Sequence, residues 1–587
     1  MSSKSLYLSL PILELGGEKA PPELLKDLLQ ITVEESLHLP AMFTMVVHNS
    51  YLPTNDKAEY QPWRHEKLFE IGKKVRIGFI SSTTQDANFN LEKEGYLING
   101  EITAIEVHFN TKSEAPIIVR GYDTSHRLHR GRHNRSFLNN TDSDIVRKIV
   151  QEVGIEVGQI NESGEVHEYV FQENQTNMEF LRERAARIGF ELFIEDGKIN
   201  FRKPETKEPV ELKWLDEISS FSTRITSAEQ VSSVEVRSWD YTQKKLITET
   251  AELEKVITDT GNQKGSNSSN KFNLSKPPKM IVVDKPVFCA KQAEVMAQAL
   301  CDELGGEFVY ADAKAEGNPK IRPGRFVNLQ NMGTRFSGKY YITETRHFYN
   351  QRVYTTEFSV RGLRAGNLFT SISQQKHLQP GETFLVGIVT NNQDEKGLGR
   401  VKVKFPTLTE EHESYWARVV ALGAGSNRGF DCLPEVNDEV LVGFEHGDIH
   451  RPYVIGGVWN GKDAPPEKVH DSVVKGVRLR TIKTRTGHTL QFIEEDKGSS
   501  KTGIRVETNK GHKIYLNDSE ACIEFETKGG HKIKMDDIGK SILIETTGKH
   551  SIKMDDITKS VAIESKGNLD INANGIITIK GSLIRLN

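Results

Sequence analysis

The sequence predicts a mainly β protein with some α, arranged in three regions. Three observations carry this. From Gly487 onward the chain copies a short unit with strict two-residue alternation. Between Phe384 and Asn460 five short strand-like runs are punctuated by Gly, Pro, Asn and Asp. The region before them mixes strand runs with three helical runs. The regions are read as 1–375 (mixed), 380–465 (a five-stranded barrel) and 470–587 (a repetitive β-helix).

Composition narrows the classes. The 587 residues carry 77 Lys+Arg and 81 Asp+Glu, a net charge of −4. That balance gives no global attraction to nucleic acid or an anionic membrane. Hydrophobic residues are only 36% of the chain. With Gly added this is still lean against a usual share of about 45–50%, yet balanced charge does not describe a disordered chain. The protein is therefore folded, polar and short of core. No apolar run reaches the ~18 residues of a spanning helix. The N-terminal MSSKSLYLSLPILELGG alternates and is broken by Pro11 and Glu14, so it reads as a strand and not a signal peptide. The expectation is a chain made in the cytoplasm and moved by something other than the general secretory route.

In the mixed region, EKEGYLINGEITAIEVHF and APIIVRGYD read as strands. TDSDIVRKIVQEVG reads as a helix capped by Thr141, with Asp142 and Asp144 well placed at its positive end. NMEFLRERAARIG is a second helix, with apolar Phe180, Leu181, Ala185 and Ile188 and a stop at Gly189. KPVFCAKQAEVMAQALCDELGG is the third, and places Cys289 and Cys301 in helix. None of the four cysteines forms a C-x-x-C pair, and all read as small buried hydrophobes. GNQKGSNSSNKFNLSKPPK, Gly261 to Lys279, reads as a flexible loop by composition. The runs FLVGIVTN, GRVKVKF, YWARVVAL, DEVLVGFEHGD and RPYVIGGVWN suit a small Greek-key barrel of the OB type.

The repeats GHTLQFIEED, GHKIYLNDSE, GHKIKMDDIG and KHSIKMDDIT place histidines at 488, 512, 531 and 550. Each unit continues into GIRVET, CIEFET, SILIET or SVAIES. Ile514, Leu516, Ile523, Phe525, Ile533, Met535, Ile542, Ile544, Ile552, Met554, Val561 and Ile563 fall on one face, and Lys, Glu, Thr and Ser fall between them. This is a stack of half-buried strands. Ten or eleven strands at ~4.7 Å make a rod on the order of 50 Å long. One chain would enclose only a thin core. Three chains around one axis would close a triangular β-helix and share it, with a one-chain flattened solenoid as the rival.

Catalytic signatures are thin. GAGSNRG has its third Gly one place late for a dinucleotide loop, and GKS at Gly539 lacks the upstream Gly of a phosphate loop. There is no H-E-x-x-H and no G-x-S-x-G, so no catalytic residues, metal ligands or cofactor are assigned. HRLHRGRHNRSF is basic at Arg127, Arg130, Arg132 and Arg135, but no aromatic platform accompanies it. A solvated or packed loop is favoured over nucleic-acid contact. The repeat histidines and the pairs Asp536–Asp537 and Asp555–Asp556 are read as turn and surface residues ahead of zinc or calcium ligands.

The barrel runs carry a resemblance. Gly399 to Pro406, Trp416 to Val419, Pro434 to Asp448 and Arg451 to Asn460 resemble, in order, the GRVKVxFP, W-x-R-V, P-x-x-x-x-E-V-L-V-x-F-x-x-G-D and RP-x-x-x-G-x-V-x-N pattern of the VgrG family. These are spike proteins of type VI secretion and related contractile injection systems. YDTSHRLHRGRHNRSF and FQENQTNMEFLRERAARIGFELFIEDGKINF are similar to the family's late-control-protein region, and IRPGRFVNL and GKYYITETRHFY to its hub barrel. FPTLTEEHESYWARVV lacks the Trp-Asp that often follows Phe-Pro, and no lysozyme insert or fused effector is recognised up to Asn587. The resemblance implies N-terminal hub domains (β-barrels plus helices), an OB neck and a trimeric needle in a contractile particle. It implies a structural homotrimer and not an enzyme, with inner-tube and baseplate proteins at the N-terminal end and a target membrane met during injection. A PAAR-repeat tip protein would sit on Leu583, Ile584 and Leu586, with effectors as cargo. The alternative is a carbohydrate-binding or glycan-cleaving β-helix protein, which would need a paired acid and base in a groove.

Overall fold

Eleven antiparallel strands form the largest sheet of the computed structural model. Their order is Ile218–Ile225, Val309–Glu316, Val353–Val360, Glu344–Asn350, Leu28–Ser36, Met42–Val47, Ile117–Asp123, Lys93–Val107, Lys74–Thr83, Tyr7–Leu15 and Glu18–Lys19. The structure describes residues 7–50, 57, 64–83, 93–109, 114–205, 208–240, 242–255, 258–261, 264–272, 274–362, 380–468 and 476–586. The region boundaries expected at 375 and 470 lie outside the described residues. Contacts divide the chain into two units, 1–458 and 459–587.

Alternation builds the sheet's core. Met42–Val47 buries Phe43, Met45 and Val47 and turns the residues between them outward. Ile31, Val33, Ile77 and Phe79 join the same cluster, and Phe79 stacks on Tyr354 with ring centroids 4.3 Å apart. Pro11 lies in the strand Tyr7–Leu15, as the sequence suggests. It is tolerated because that strand pairs on its second side only at Glu14 and Leu15. The expected N-terminal barrels are corrected. This sheet is open, and one of its edges is the two-residue strand Glu18–Lys19, too short to form a closing seam.

The helices follow their caps. In Asp142–Glu152 the Thr141 side chain accepts from the Asp144 N–H, and Asp144 returns a bond to the Thr141 N–H. Asn177–Ile188 has the same capping box from Thr176 and Glu179, and Gly189 ends it at φ 68°. The third helix is shorter than the sequence run, spanning Ala290–Gly306, because Cys289 is extended and occupies its N-cap. Cys289 is consequently half-buried and Cys432 is exposed, whereas Cys301 and Cys522 are buried. The loop read at Gly261–Lys279 is also corrected. It contains the short helix Gly265–Ser269, held because the buried Glu254 accepts from the Ser266 N–H at 3.2 Å and Lys264 Nζ donates to the Glu254 carbonyl at 2.9 Å.

Arg127 and Arg135 of the basic run are packed, whereas Arg130 and Arg132 are exposed. Arg127 bonds Glu101 and the carbonyls of Val153 and Gly154, and Arg135 bonds Glu152, Gln172 and Asn177. These guanidinium groups tie strand and 3-10 helix to the neighbouring helices.

Leu385–Asn391, Arg400–Lys404, Ala417–Val419, Glu439–Phe444 and Pro452–Gly457 close into a five-stranded barrel. Val389, Val401, Val403, Ala417, Val440, Val442 and Val454 are wholly buried in its core, with Phe405 beside them. Short β-branched side chains suit so small a barrel interior.

The second unit holds one nine-stranded sheet, from Leu479–Lys483 to Ser560–Glu564. Every strand is five residues long and pairs antiparallel with its sequence neighbour. Two expectations change. Nine strands replace ten or eleven, and ITIKGSLIRLN holds no strand among its described residues. Past Glu564 no further strand offers a ladder to that segment. Nor does the chain fold back as a solenoid: its strands run as a single-layer meander.

Candidate functional site

The repetitive sheet is built by two kinds of turn. On one edge the N–H of His488, His512, His531 and His550 donates to the hydroxyl of Thr484, Thr508, Thr527 and Thr546 at 3.0–3.2 Å. In return each Thr N–H donates to the carbonyl of its histidine at 2.9–3.0 Å. Between them stands a left-handed residue: Gly487, Gly511, Gly530 and, in the last unit, Lys549 at φ 64°. On the other edge Asn517, Asp536 and Asp555 accept through Oδ1 from the N–H of Glu520, Gly539 and Thr558. The residue opening the next strand's turn is again left-handed: Ala521, Lys540 and Lys559.

These turns fix the register, and register sorts the faces. Ile514 stands opposite Phe525, Leu516 opposite Ile523, Ile533 opposite Ile544, and Met535 opposite Ile542. One face is thus an apolar stripe two side chains wide. The other carries alternating charge, with Lys532 on Glu524 at 2.9 Å, Lys534 on Asp536 at 2.9 Å and Lys553 on Asp555 at 2.8 Å. From Ile514 to Met554 the stripe residues are 37–46% exposed, and Val561 and Ile563 more so. A lone soluble chain rarely shows an apolar patch beyond a few hundred Å². Here no described residue of the second unit covers the apolar face from Ile514 to Ile563.

The sequence's candidate ligands have other work. His512 Nδ1 accepts from the Lys528 N–H at 3.4 Å and His550 Nδ1 from the Lys566 N–H at 3.2 Å, so these rings tie one turn to the next. Asp536 and Asp555 cap turns and pair with lysines. Both carboxyls are held below the ordinary aspartate range, Asp555 at about 2, chiefly by the Lys553 ammonium. Among the described residues no cluster of three or more His, Cys, Asp or Glu side chains is placed to hold a metal. Leu583, Ile584 and Leu586 lie exposed beyond the last strand.

In the barrel, Arg400 grips Asp394 through Nε at 2.9 Å and Nη2 at 2.7 Å and lies over the Trp416 ring at 5.6 Å. The arginine bonds push the Asp394 carboxyl well down. Phe384, Leu398, Tyr415 and Leu422 are exposed around the barrel. A second feature escaped the sequence reading. Arg322 is buried in the first unit and bonds Glu35, Asp196 and the carbonyls of Tyr96 and Leu97. Only its place in IRPGRF marked it.

A closed five-stranded barrel preceding a strand meander defines a class. Residues 385–459 match the family model described as the type VI secretion system/phage-baseplate injector OB domain. A second model, described as the Alg8 N-terminal domain, matches residues 81–351, under half of the chain. The chain is 32% identical over 128 residues to the type VI secretion system spike protein VgrG1c of Pseudomonas aeruginosa, covering 21% of this chain and 18% of that one. It is 34% identical over 123 residues to VgrG1b of the same organism, covering 20% and 17%. Over this stretch the chain is similar to VgrG-family spike proteins. It matches less than a fifth of the length of these relatives. One further relative, 32% identical over 116 residues, is the actin cross-linking toxin VgrG1 of Vibrio cholerae. Among solved structures, a 43 kDa prophage tail protein from Shewanella oneidensis aligns over 60% of this chain and 98% of its own, at 16% identity and TM-score 0.44. An E. coli type VI secretion component aligns over 76% and 99%, at 18% identity and TM-score 0.39. Superpositions this loose carry no argument. No helix among the described residues is long and apolar enough to cross a membrane.

Proposed function

We propose that this chain is the central hub and spike of a contractile injection system and acts as a homotrimer, with a structural and not a catalytic role. The observation that carries the reading is the uncovered apolar stripe from Leu490 to Ile563. Three copies of the sheet, apolar faces inward, would close a triangular prism. Because each strand pairs with its own sequence neighbours, each chain supplies one whole side instead of winding around its sisters. Nine strands at ~4.8 Å give a rod on the order of 40 Å long. The cross-strand hydrogen bonds then run along the rod, in the direction of load during puncture.

The region around the eleven-stranded sheet would face the inner tube and baseplate. Leu583, Ile584 and Leu586 would seat a PAAR-repeat tip protein that carries effectors through the target membrane. Light scattering on the full chain tests the assembly. A mass of three times 66.1 kDa supports it; a stable monomer or dimer defeats it. For the tip, Ile584→Asp should abolish capture of the PAAR-repeat protein, and undiminished capture would remove these residues from the contact.

A further inference from the structure

A cavity of about 490 Å³ lies in the first unit, between the helices Asn177–Ile188 and Ala290–Gly306. That is the size of a site for a small organic ligand. Phe180, Arg184, Arg187 and Ile188 stand at i, i+4, i+7 and i+8 of the first helix, so one helix face supplies both an apolar wall and two guanidinium groups. Val287, Val295 and Met296 line the other side. Phe180, Val287 and Met296 are buried. The rings of Tyr169 and Phe288 also line the cavity but are exposed, which puts them at its mouth.

The charged groups lining the cavity are unequally engaged. Asp142 is buried and holds Arg184 at 2.5 Å and His167 at 3.1 Å. Lys291 pairs with Glu294 at 2.7 Å. Glu165 and Glu183 are exposed, so water carries their charge; Glu165 accepts from the Cys289 thiol at 2.9 Å and Glu183 from Gln175 at 3.0 Å. Arg187 is half-buried, and among the described residues it donates only to the Pro286 carbonyl, through Nη2 at 3.2 Å. Glu183 and Asp142 attract it through space, but no described carboxylate stands at ion-pair distance from it. The positive end of Ala290–Gly306, whose first turn has no side-chain cap, adds to the potential on the opposite side. A guanidinium stays charged at neutral pH, and its planar fork fits a carboxylate.

We infer that this cavity binds an aromatic carboxylate, as a free acid or as the C-terminal residue of a peptide. Its ring lies among Phe180, Val287 and Met296, with Phe288 at the mouth. Its carboxylate accepts from the unused N–H groups of Arg187. An aromatic amine fits less well, because the unpaired anions Glu165 and Glu183 stand in water and the unpaired cation is half-buried. The cavity belongs to the first unit and does not rest on the spike reading.

Isothermal titration of the full chain at about pH 7 with phenylpropionate, phenylpropanamide, phenethylamine and N-acetylphenylalanine tests it. One phenylpropionate should bind per chain, and the uncharged amide and the amine at least about tenfold more weakly. Arg187→Met should weaken phenylpropionate about ten- to a hundredfold, the loss expected for a charge-assisted bond, and leave the amide unchanged. Phe288→Ala removes an exposed ring, should weaken phenylpropionate several-fold, and covers the case that Arg187→Met misfolds. Tighter binding of N-acetylphenylalanine than of phenylpropionate would assign the site to a peptide C-terminus, and the reverse order to a free acid. Binding of neither carboxylate, equal binding of the amide or the amine, or unchanged binding in Arg187→Met or in Phe288→Ala would each overturn the proposal.

Discussion

Arg322 and Glu35 lie 287 residues apart and meet as a buried ion pair, Arg322 donating through Nε at 3.0 Å and Nη2 at 2.7 Å to one carboxylate oxygen. Both are almost wholly excluded from solvent. Asp196 and two backbone carbonyls take the remaining guanidinium protons, so one side chain joins the strand Leu28–Ser36, the long strand Lys93–Val107 and the turn at Asp196. Removing one partner of such a pair leaves the other buried and uncompensated. Arg322→Met should destabilise the first unit by about 3–5 kcal/mol. Denaturant unfolding should show this with an unchanged slope, and Glu35→Gln should recover part of the loss in the double variant.

Ile533 and Ile544 test the apolar stripe. In one chain each is only about three-fifths covered, so Ile→Ala should cost little if the sheet stands alone. If three sheets share a core, each substitution should cost about 2–5 kcal/mol per site. Ile544→Asp should abolish the trimer in light scattering, and Lys553→Ala on the charged face should leave it intact.

Lys549 takes the left-handed place that Gly511 and Gly530 fill in earlier repeats, at φ 64° against 89° and 83°. Lys549→Gly should therefore raise stability of the repetitive unit by about 1–2 kcal/mol. Gly530→Lys should lower it by a similar amount. A Cβ there meets only Thr547, at 3.5 Å, so the effect is backbone strain and not a clash. Thermal melts of the two variants should move in opposite directions.

The aspartate turns set an acid limit. Asp555 is lowered from 3.8 to about 2, and Asp536 is lowered too. A depressed carboxylate contributes stability that is complete above about pH 4 and is lost as pH falls through its folded value. The repetitive sheet should lose this contribution between about pH 4 and 2, read by circular dichroism. Asp555→Asn keeps an acceptor for Thr558 but not the charge on Lys553, and should flatten that dependence.

Much of this was legible because it is local. Thr141 and Gly189 announce the ends of their helices, since a cap depends on residues within one turn. The twelve stripe residues announce their shared face, since a strand alternates whatever lies above it. The Arg127–Arg135 run was basic in sequence, but its partners Glu101 and Glu152 became visible only once distant strands met. Cys289 read as helical because nothing local shows that the chain stays extended through it.

By itself the sequence determined the barrel's five strands, the alternation and turn positions of the repeats and the existence of one apolar face. Only the tertiary structure decided that the strands pair in order as a single layer, that the N-terminal sheet stays open, and that the stripe has no cover among the described residues of its own unit. The physical reason is range. Turn and alternation preferences act over a few residues, whereas pairing order, sheet closure and burial are set by contacts between residues far apart in the chain.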